Sequence, residues 1–260
     1  MQFSEVLNAL VRDGSTWTVD VPESWLQGRS VFGGLQTALA IRAMRALLPV
    51  ETPLRVATTT FVAPVPAGRL TLQVRALRAG KSVTHLEARL GEDGNSAIVV
   101  GVFGSHRESA VSVVPRQEPV SRDSGITIPH VPGLSPKFTQ HVRQHWLMGG
   151  LPFTGSSETR AVIEVDLKDA GPTGAEHVAG IADAIPPIAL SHLRSPSPGS
   201  SVTWTLEFLR ESFAELPLAG YRLDAELTAG AGGYTSQSVM VWGPDGKPAA
   251  LSRQTMVVFG

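Results

Sequence analysis

The chain has 260 residues, of which 42% are hydrophobic and 17% are charged, and its net charge is −1. This composition is typical of a globular protein with a sizeable core, and the balanced charge excludes the broad basic surface expected for nucleic-acid binding. There is no cysteine, which excludes disulfide scaffolds and zinc sites built on cysteine. The 26 glycines and 19 prolines indicate many turns and favour a fold rich in strands.

Neither a leader segment nor a membrane anchor is expected. The first five residues lack the basic run followed by an apolar run that marks a signal peptide. No apolar stretch approaches the roughly 20 residues needed to span a bilayer. We therefore expect a cytoplasmic protein.

The first part of the chain predicts one buried helix followed by antiparallel strands. Residues 35–48 are apolar on almost every side and stop at Pro49, so we expect a helix that other elements enclose. A short helix over 3–12 and a strand over 17–21 precede it. Turn residues separate the strands that follow, which are expected at 54–62, 70–77, 82–90 and 97–103.

The second part repeats this pattern after a connector. Residues 105–155 are rich in proline, which predicts a surface connector with a short helix over 138–148. A strand over 160–167 and a second helix over 183–193 come next. The remaining strands are expected at 202–209, 222–228, 235–241 and 251–259.

The turns of the two parts match with a constant offset, which predicts a duplicated domain. The expected fold class is α+β, with two tandem repeats that each wrap an antiparallel β-sheet around a long helix. The units are predicted at 1–108 and 156–260, with the connector at 109–155. Three turns match with an offset of 152 residues: Gly68 with Gly220, Gly80 with Gly232, and Asp93-Gly94 with Asp245-Gly246. The expected helix starts, Gly34 and Asp183, match with an offset of 149 residues.

Asp183 is an acid isolated among small and apolar residues, where an unpaired buried charge would be costly. Pro186 and Pro187 follow closely, and proline is tolerated in the first turn of a helix. We therefore expect Asp183 at the start of the second helix, where its carboxylate can cap backbone N–H groups. A plain helix cap and a catalytic acid both fit this position.

Three segments carry a similarity to a known family. They are Val31-Phe32-Gly33-Gly34 with Gln36, the connector residues 136–141 and the closing strand 250–255. These segments resemble the acyl-CoA thioesterase II family of the thioesterase-like superfamily, whose members have a double hotdog fold. The resemblance covers almost the whole chain. It implies hydrolysis of an acyl-CoA thioester in lipid metabolism, with acyl-CoA as the partner and with no metal or cofactor.

The resemblance also implies which residues form the site. Asp183, Ser201 and Gln254 would hold the attacking water, with Asp183 as the general base. Thr203 is the alternative hydroxyl, because the strand register is open by one or two residues.

Phe32, Gly33 and Gly34 would bind the substrate at the start of the first helix. A glycine without a Cβ allows close approach, and the N–H groups at a helix N-terminus suit a developing oxyanion. Since one chain already mimics a dimer of single hotdogs, both a monomer and a homodimer of double hotdogs are compatible with the fold.

Thr203 and Trp204 depart from the family pattern, which has an Asp-His pair at these positions. The alternative function is therefore a non-catalytic protein that binds acyl-CoA or another small ligand on the same fold. A hydratase is not expected, because the position five residues after the acid holds Ile188 rather than histidine. His141 and His145 have the spacing of metal ligands on a helix but lack the intervening glutamate of a metalloprotease. No Gly-x-Ser-x-Gly motif is present, which argues against a serine hydrolase.

Overall fold

The computed structural model describes residues 1–49, 52–123 and 125–259. In this part of the chain there are three α-helices, and most strands join one antiparallel sheet. The helices are α1 (Phe3–Asn8), α2 (Gly33–Arg45) and α3 (Ala175–Ala182). The strands are β1 (Val11–Asp13), β2 (Thr16–Val21), β3 (Leu26–Gln27), β4 (Ser30–Val31), β5 (Leu54–Phe61), β6 (Gly68–Ala79), β7 (Val83–Leu90), β8 (Ala97–Gly104), β9 (Ile126–Ile128), β10 (Val142–Met148), β11 (Arg160–Leu167), β12 (Gly199–Phe208), β13 (Tyr221–Ala231), β14 (Tyr234–Trp242) and β15 (Pro248–Val258).

The sheet is symmetrical about the junction between β5 and β12. Its order is β1-β2-β6-β7-β8-β5-β12-β15-β14-β13-β11-β10-β9. From the junction outwards, β8, β7 and β6 on one side correspond to β15, β14 and β13 on the other. Gly68, the first residue of β6, and Gly220, directly before β13, have φ of 102° and 81°. The α+β class is confirmed, and the matching turns agree with a duplicated architecture.

The buried helix predicted over 35–48 is confirmed as α2. Ten of its 13 residues are buried, because it is apolar on nearly every side and lies against β5, β6, β7 and β8. In the described part of the chain, no helix combines the length and hydrophobicity needed to cross a membrane.

The helices α2 and α3 run antiparallel and in contact. At one end, a Cβ added to Gly34 would lie 3.0 Å from the Cα of Gly180. At the other end, Arg45 Nε lies 3.4 Å from Glu176 Oε1. The N-terminus of α2 is therefore beside the C-terminal end of α3, so elements of both halves meet at each end of the helix pair.

The predicted helix over 183–193 is wrong. The second helix, α3, is only eight residues long and ends before this segment, with Asp183 as its C-cap. The backbone N–H of Asp183 donates to the carbonyl of Ala179 at 3.2 Å. The prolines instead precede a 3-10 helix at Ile188–His192, whose N-cap is Pro187.

The second helix starts at Ala175, earlier than predicted, and a local hydrogen bond stabilises its first turn. The backbone N–H of Gly174, the N-cap, donates to His177 Nδ1 at 2.9 Å, which ties the start of the helix together. The predicted equivalence of Gly34 with Asp183 is also wrong, since the second residue of α3 is Glu176 and the C-cap of α2 is Ala46.

The predicted short helix over 138–148 is wrong as well. Lys137–His141 is a 3-10 helix, and the residues after it form β10, which pairs with β9 and β11. Val142, Gln144 and Trp146 alternate into the core along this strand. A segment expected in the surface connector thus supplies a strand of the main sheet.

Candidate active site

The structure brings Asp183, at the end of α3, together with Gln254 of β15. Gln254 Nε2 donates to Asp183 Oδ1 at 2.5 Å. Gln254 is only 4% exposed and belongs to the row Ser252, Gln254 and Met256 that points into the core. Asp183 remains partly exposed. The pair is therefore a nearly buried carboxylate held by one amide.

The environment changes the acidity of Asp183 strongly. Burial raises the pKa of Asp183 to about 7, while the hydrogen bond from Gln254 and the backbone N–H of Gly34 act to lower it. The positive end of the α2 dipole also favours the charged form. A carboxylate with this pKa can accept a proton from water near neutral pH and return it later.

Gly33, the first residue of α2, leaves room for this carboxylate. A Cβ added to Gly33 would lie 2.9 Å from Asp183 Oδ2 and 3.0 Å from Cζ of Phe61. The prediction that Asp183 begins the second helix is therefore wrong, and its carboxylate instead faces the N-terminus of α2. The N–H of Gly34 already faces the carboxylate, whereas that of Gly33 has no backbone acceptor in the described residues.

Phe32, predicted to touch the substrate, is fully buried. Its ring stacks on Phe138 with centroids 4.0 Å apart and an interplanar angle of 5°. This contact fixes the start of α2 against the 3-10 helix Lys137–His141. A direct contact of Phe32 with substrate stays a prediction.

The two candidate hydroxyls lie on opposite faces of β12. Ser201 pairs with Met256 and Thr203 pairs with Thr255, so Val202 forms a bulge between them. Directly opposed residues of antiparallel strands share a face. Ser201 therefore points to the inner face with Met256, while Thr203 is exposed on the outer face.

Ser201 is thus on the same face as Gln254 but not joined to it. Met256, its partner, is two residues beyond Gln254, which corresponds to about 7 Å along the strand. Among the described residues, the Ser201 side chain makes no hydrogen bond to Asp183 or Gln254.

The departures at Thr203 and Trp204 have different structural consequences. Trp204 is 1% exposed, and its Nε1 donates to Ser252 Oγ at 2.8 Å. It fills the sheet interior next to Gln254, its partner on β15, whereas Thr203 faces outwards.

Two buried glutamines that the sequence analysis missed hold the segment after Asp183. Gln144 Nε2 on β10 donates to the carbonyl of Ala184. Gln237 Oε1 on β14 accepts the N–H of Ile188 at 2.7 Å. The available signal was an amide at an inward position of an alternating apolar strand, because a buried polar side chain needs a partner.

The two histidines with metal-like spacing serve other contacts. His141 stacks on Trp25 at 4.0 Å and 10°, and His145 Nδ1 is 2.9 Å from Thr127 Oγ1. In the residues that the structure describes, no group of three or more His, Asp or Glu side chains is arranged to hold a metal ion.

Family models decide the assignment. The model of the acyl-CoA thioesterase N-terminal domain matches residues 21–105, and that of the acyl-CoA thioesterase C-terminal domain matches residues 114–258. The chain belongs to the acyl-CoA thioesterase family. It is a thioester hydrolase, and the alternative of a non-catalytic binding protein is not favoured. A comparison with curated proteins gives no match.

Solved structures show the fold of this thioesterase to be a hotdog. A conserved protein of unknown function with a hot dog fold from Alicyclobacillus acidocaldarius has a TM-score of 0.88 at 21% identity, covering 99% of this chain and 98% of that one. The TesB protein of Mycobacterium avium subsp. paratuberculosis has a TM-score of 0.78 at 12% identity, covering 100% of both. Acyl-CoA thioesterase II of Mycobacterium marinum has a TM-score of 0.72 at 14% identity, covering 100% and 97%.

Proposed function

We propose that this thioesterase hydrolyses acyl-CoA with a water molecule held by Asp183, Gln254 and Ser201. The observation that carries the proposal is the contact of Asp183 with Gln254 at the N-terminus of α2. A carboxylate with a raised pKa, an amide donor and the positive end of a helix meet there, and thioester hydrolysis needs a base and donors of this kind.

In the first step, ionised Asp183 takes a proton from the water as the water oxygen attacks the thioester carbonyl carbon. The π electrons of the C=O bond move to its oxygen, which becomes an oxyanion. In the second step the C=O bond re-forms and the C–S bond breaks. The CoA sulfur leaves with the electron pair and takes the proton back from Asp183, so the products are a carboxylic acid and the CoA thiol.

Gly33 is the proposed oxyanion donor. Its N–H lies in the first turn of α2, where backbone donors point out of the helix and the dipole favours negative charge. The close approach of Gly33 to Asp183 Oδ2 supports this pairing of donor and base. Gln254 and the Ser201 hydroxyl would then orient the water from the sheet.

A single site per chain is proposed, although the architecture contains two tandem hotdog units. At the other end of the helix pair, Ala46 takes the place of Asp183, and Glu176 takes the place of Gly34. The bounds 1–108, 109–155 and 156–260 for the units and their connector stay a prediction. So do a long helix in each unit, a cytoplasmic location, a role in lipid metabolism and a homodimer of double hotdogs.

The experiment is thiol release from a panel of acyl-CoA substrates by the wild-type protein and by Asp183→Asn. The variant should lose about 10²- to 10⁴-fold in kcat, the usual contribution of a general base, with little change in KM. Asp20→Asn, an exposed acid of the first half, is the matched control and should keep full activity. No thiol release by the wild type would refute the hydrolase, and equal rates for Asp183→Asn would refute the role of Asp183 alone.

A further inference from the structure

Two polar atoms on β14 are buried next to the proposed site and have no partner among the described residues. They are Nε2 of Gln237 and Oγ1 of Thr235. The orientation of the Gln237 amide is fixed, because its Oε1 accepts the Ile188 N–H at 2.7 Å. The unused group of Gln237 is therefore a donor, and buried donors without an acceptor are rare because they cost folding free energy.

Both residues lie on the inner face, beside the residues proposed to hold the water. Gln237 is directly opposite Gln254, and Thr235 is directly opposite Met256, the partner of Ser201. Neighbouring strands are about 4.8 Å apart. The backbones of Gln237 and Gln254 are thus about one strand spacing apart, and their side chains share the inner face.

We propose that Gln237 and Thr235 bind the acyl group of the substrate and select acyl groups that carry a hydrogen-bond acceptor oxygen. With the thioester carbonyl held beside the Gln254 amide, the matching acceptor is an oxygen on the third or fourth carbon of the acyl chain. The selection rests on the proposed function, because that function places the thioester carbonyl beside Asp183. The preferred substrates are then hydroxyacyl- or oxoacyl-CoA thioesters rather than plain alkanoyl-CoA.

The selectivity follows from what each acyl group leaves unpaired. A plain alkyl chain at this position leaves the Gln237 donor without an acceptor, whereas an acyl oxygen supplies one. Sites that contain a buried polar group discriminate strongly against substrates lacking its partner. An ordered water is the competing partner for such a group, and a water retained there would remove the advantage of an oxygenated acyl group.

The acyl group reaches these atoms from the side of Asp183. Neither atom is open to solvent, but Asp183 remains partly exposed. Ile188, whose N–H donates to Gln237, is itself buried against this amide. Changes of side-chain rotamer on binding are common, and such a change at Ile188 would open the way to the Gln237 amide.

The test compares kcat/KM for four matched substrates, butyryl-, 3-hydroxybutyryl-, 4-hydroxybutyryl- and acetoacetyl-CoA. The wild type should prefer at least one oxygenated substrate to butyryl-CoA by about tenfold or more. In Gln237→Met this ratio should fall to about one, and Thr235→Val should reduce it partly. Ser236→Ala, on the outer face of the same strand, is the control and should keep the wild-type ratio.

The ratio separates recognition of the acyl group from the contact with Ile188, whose loss would slow all four substrates alike. Equal values for the four substrates in the wild type, or an unchanged ratio in Gln237→Met, would overturn the proposal while leaving the hydrolase intact. If the wild type releases no thiol, the hydrolase fails. In that case calorimetry measures the dissociation constants of the four CoA esters. The ratio of affinities for oxygenated esters over butyryl-CoA then replaces the ratio of kcat/KM, and the same results support or overturn the proposal. Should Gln237→Met not fold, Thr235→Val carries the comparison.

Discussion

Gly33 and Asp183 approach so closely that a Cβ added at Gly33 would lie 2.9 Å from Asp183 Oδ2. The two residues come from different halves of the chain, and the carboxylate is held from its other side by Gln254. A side chain at position 33 would therefore displace the carboxylate or the ring of Phe61, rather than fit beside them.

Gly33→Ala should reduce kcat/KM by about 10- to 100-fold, because a small displacement of a catalytic group is enough to cost that much. Thiol release with one good substrate measures it. Gly104→Ala is the matched control, since a Cβ there meets its nearest atom, Cγ of Arg55, at 3.4 Å, and it should stay within about twofold of the wild type. Full activity in Gly33→Ala would show that the close approach is not needed for catalysis.

The pH dependence of kcat/KM should report the ionisation of Asp183. A general base must be deprotonated, and burial raises the pKa of Asp183 to about 7. The rate should therefore decline about tenfold per pH unit below about 7 and level off above it. A profile that stays flat from pH 5 to pH 8 would be inconsistent with Asp183 as the base.

Gln254→Met should move that acid limb to higher pH. The hydrogen bond from Gln254 lowers the pKa of Asp183, so its removal leaves the effect of burial less opposed. We expect a lower plateau rate together with a shifted midpoint. Gln73→Met, an exposed glutamine on β6, should change neither quantity, and a lower plateau without any shift would argue against the electrostatic role of Gln254.

Asp183→Asn should stabilise the protein in a way that depends on pH. The pKa of Asp183 is raised in the folded state from 3.8 to about 7, so between these values the folded state binds a proton that the unfolded state does not. The free energy of unfolding of the wild type therefore falls as pH rises from about 4 to about 7. The side chain of Asp183→Asn does not ionise, so the free energy of unfolding of the variant does not fall for this reason.

Thermal melting at pH 4.5 and pH 8 measures the effect. The variant should be more stable by on the order of 1–2 kcal/mol at pH 8, and by much less at pH 4.5, since the partial exposure of Asp183 reduces the full linkage value. An equal difference at both pH values would mean that the charge of Asp183 is not the source of the gain.

Ser201→Ala and Thr203→Ala should differ sharply in activity. The bulge at Val202 turns Ser201 towards the inner face and leaves Thr203 on the outer face. We expect kcat to fall by about tenfold or more in Ser201→Ala, because one oriented hydrogen bond to the water is lost, and to stay near the wild-type value in Thr203→Ala. The reverse order would mean that the strand shifts when substrate binds.

Hydrophobic pattern and turn residues were sufficient for most of the fold. The buried helix α2 followed from a segment that is apolar on every side, and the strands β5 to β8 followed from the turns between them. These signals are local, so they survive in a single sequence.

The errors arose where a local signal had two physical explanations. Pro187 suits the start of an α-helix, but it equally suits a loop leading into a 3-10 helix, which it precedes here. Val142, Gln144 and Trp146 fall within the helix predicted over 138–148, but in the structure they alternate into the core along β10. In the structure Gln144 is buried with its amide bonded to the Ala184 carbonyl, and this partner lies 40 positions away.

Part of the candidate site could also be predicted from the sequence. The similarity to a family pointed to Asp183 and Gln254, and the structure places them in contact. The backbone N–H of Gly34 that acts on Asp183 comes from the other half of the chain, an arrangement set by the antiparallel packing of α2 and α3. Sequence offsets alone suggested that Gly34 and Asp183 were equivalent positions, whereas they are neighbours in space.

The antiparallel helix pair has a consequence for how the activity could be divided. The carboxylate belongs to the second half and the helix end that faces it belongs to the first, so each half produced alone would lack one of the two. Two inactive fragments, cut in the connector and mixed, should therefore regain turnover only as a one-to-one complex. The opposite end of the helix pair carries Arg45 and Glu176 instead, so the complex has one proposed site. One equivalent of a tight-binding inhibitor should therefore abolish its activity.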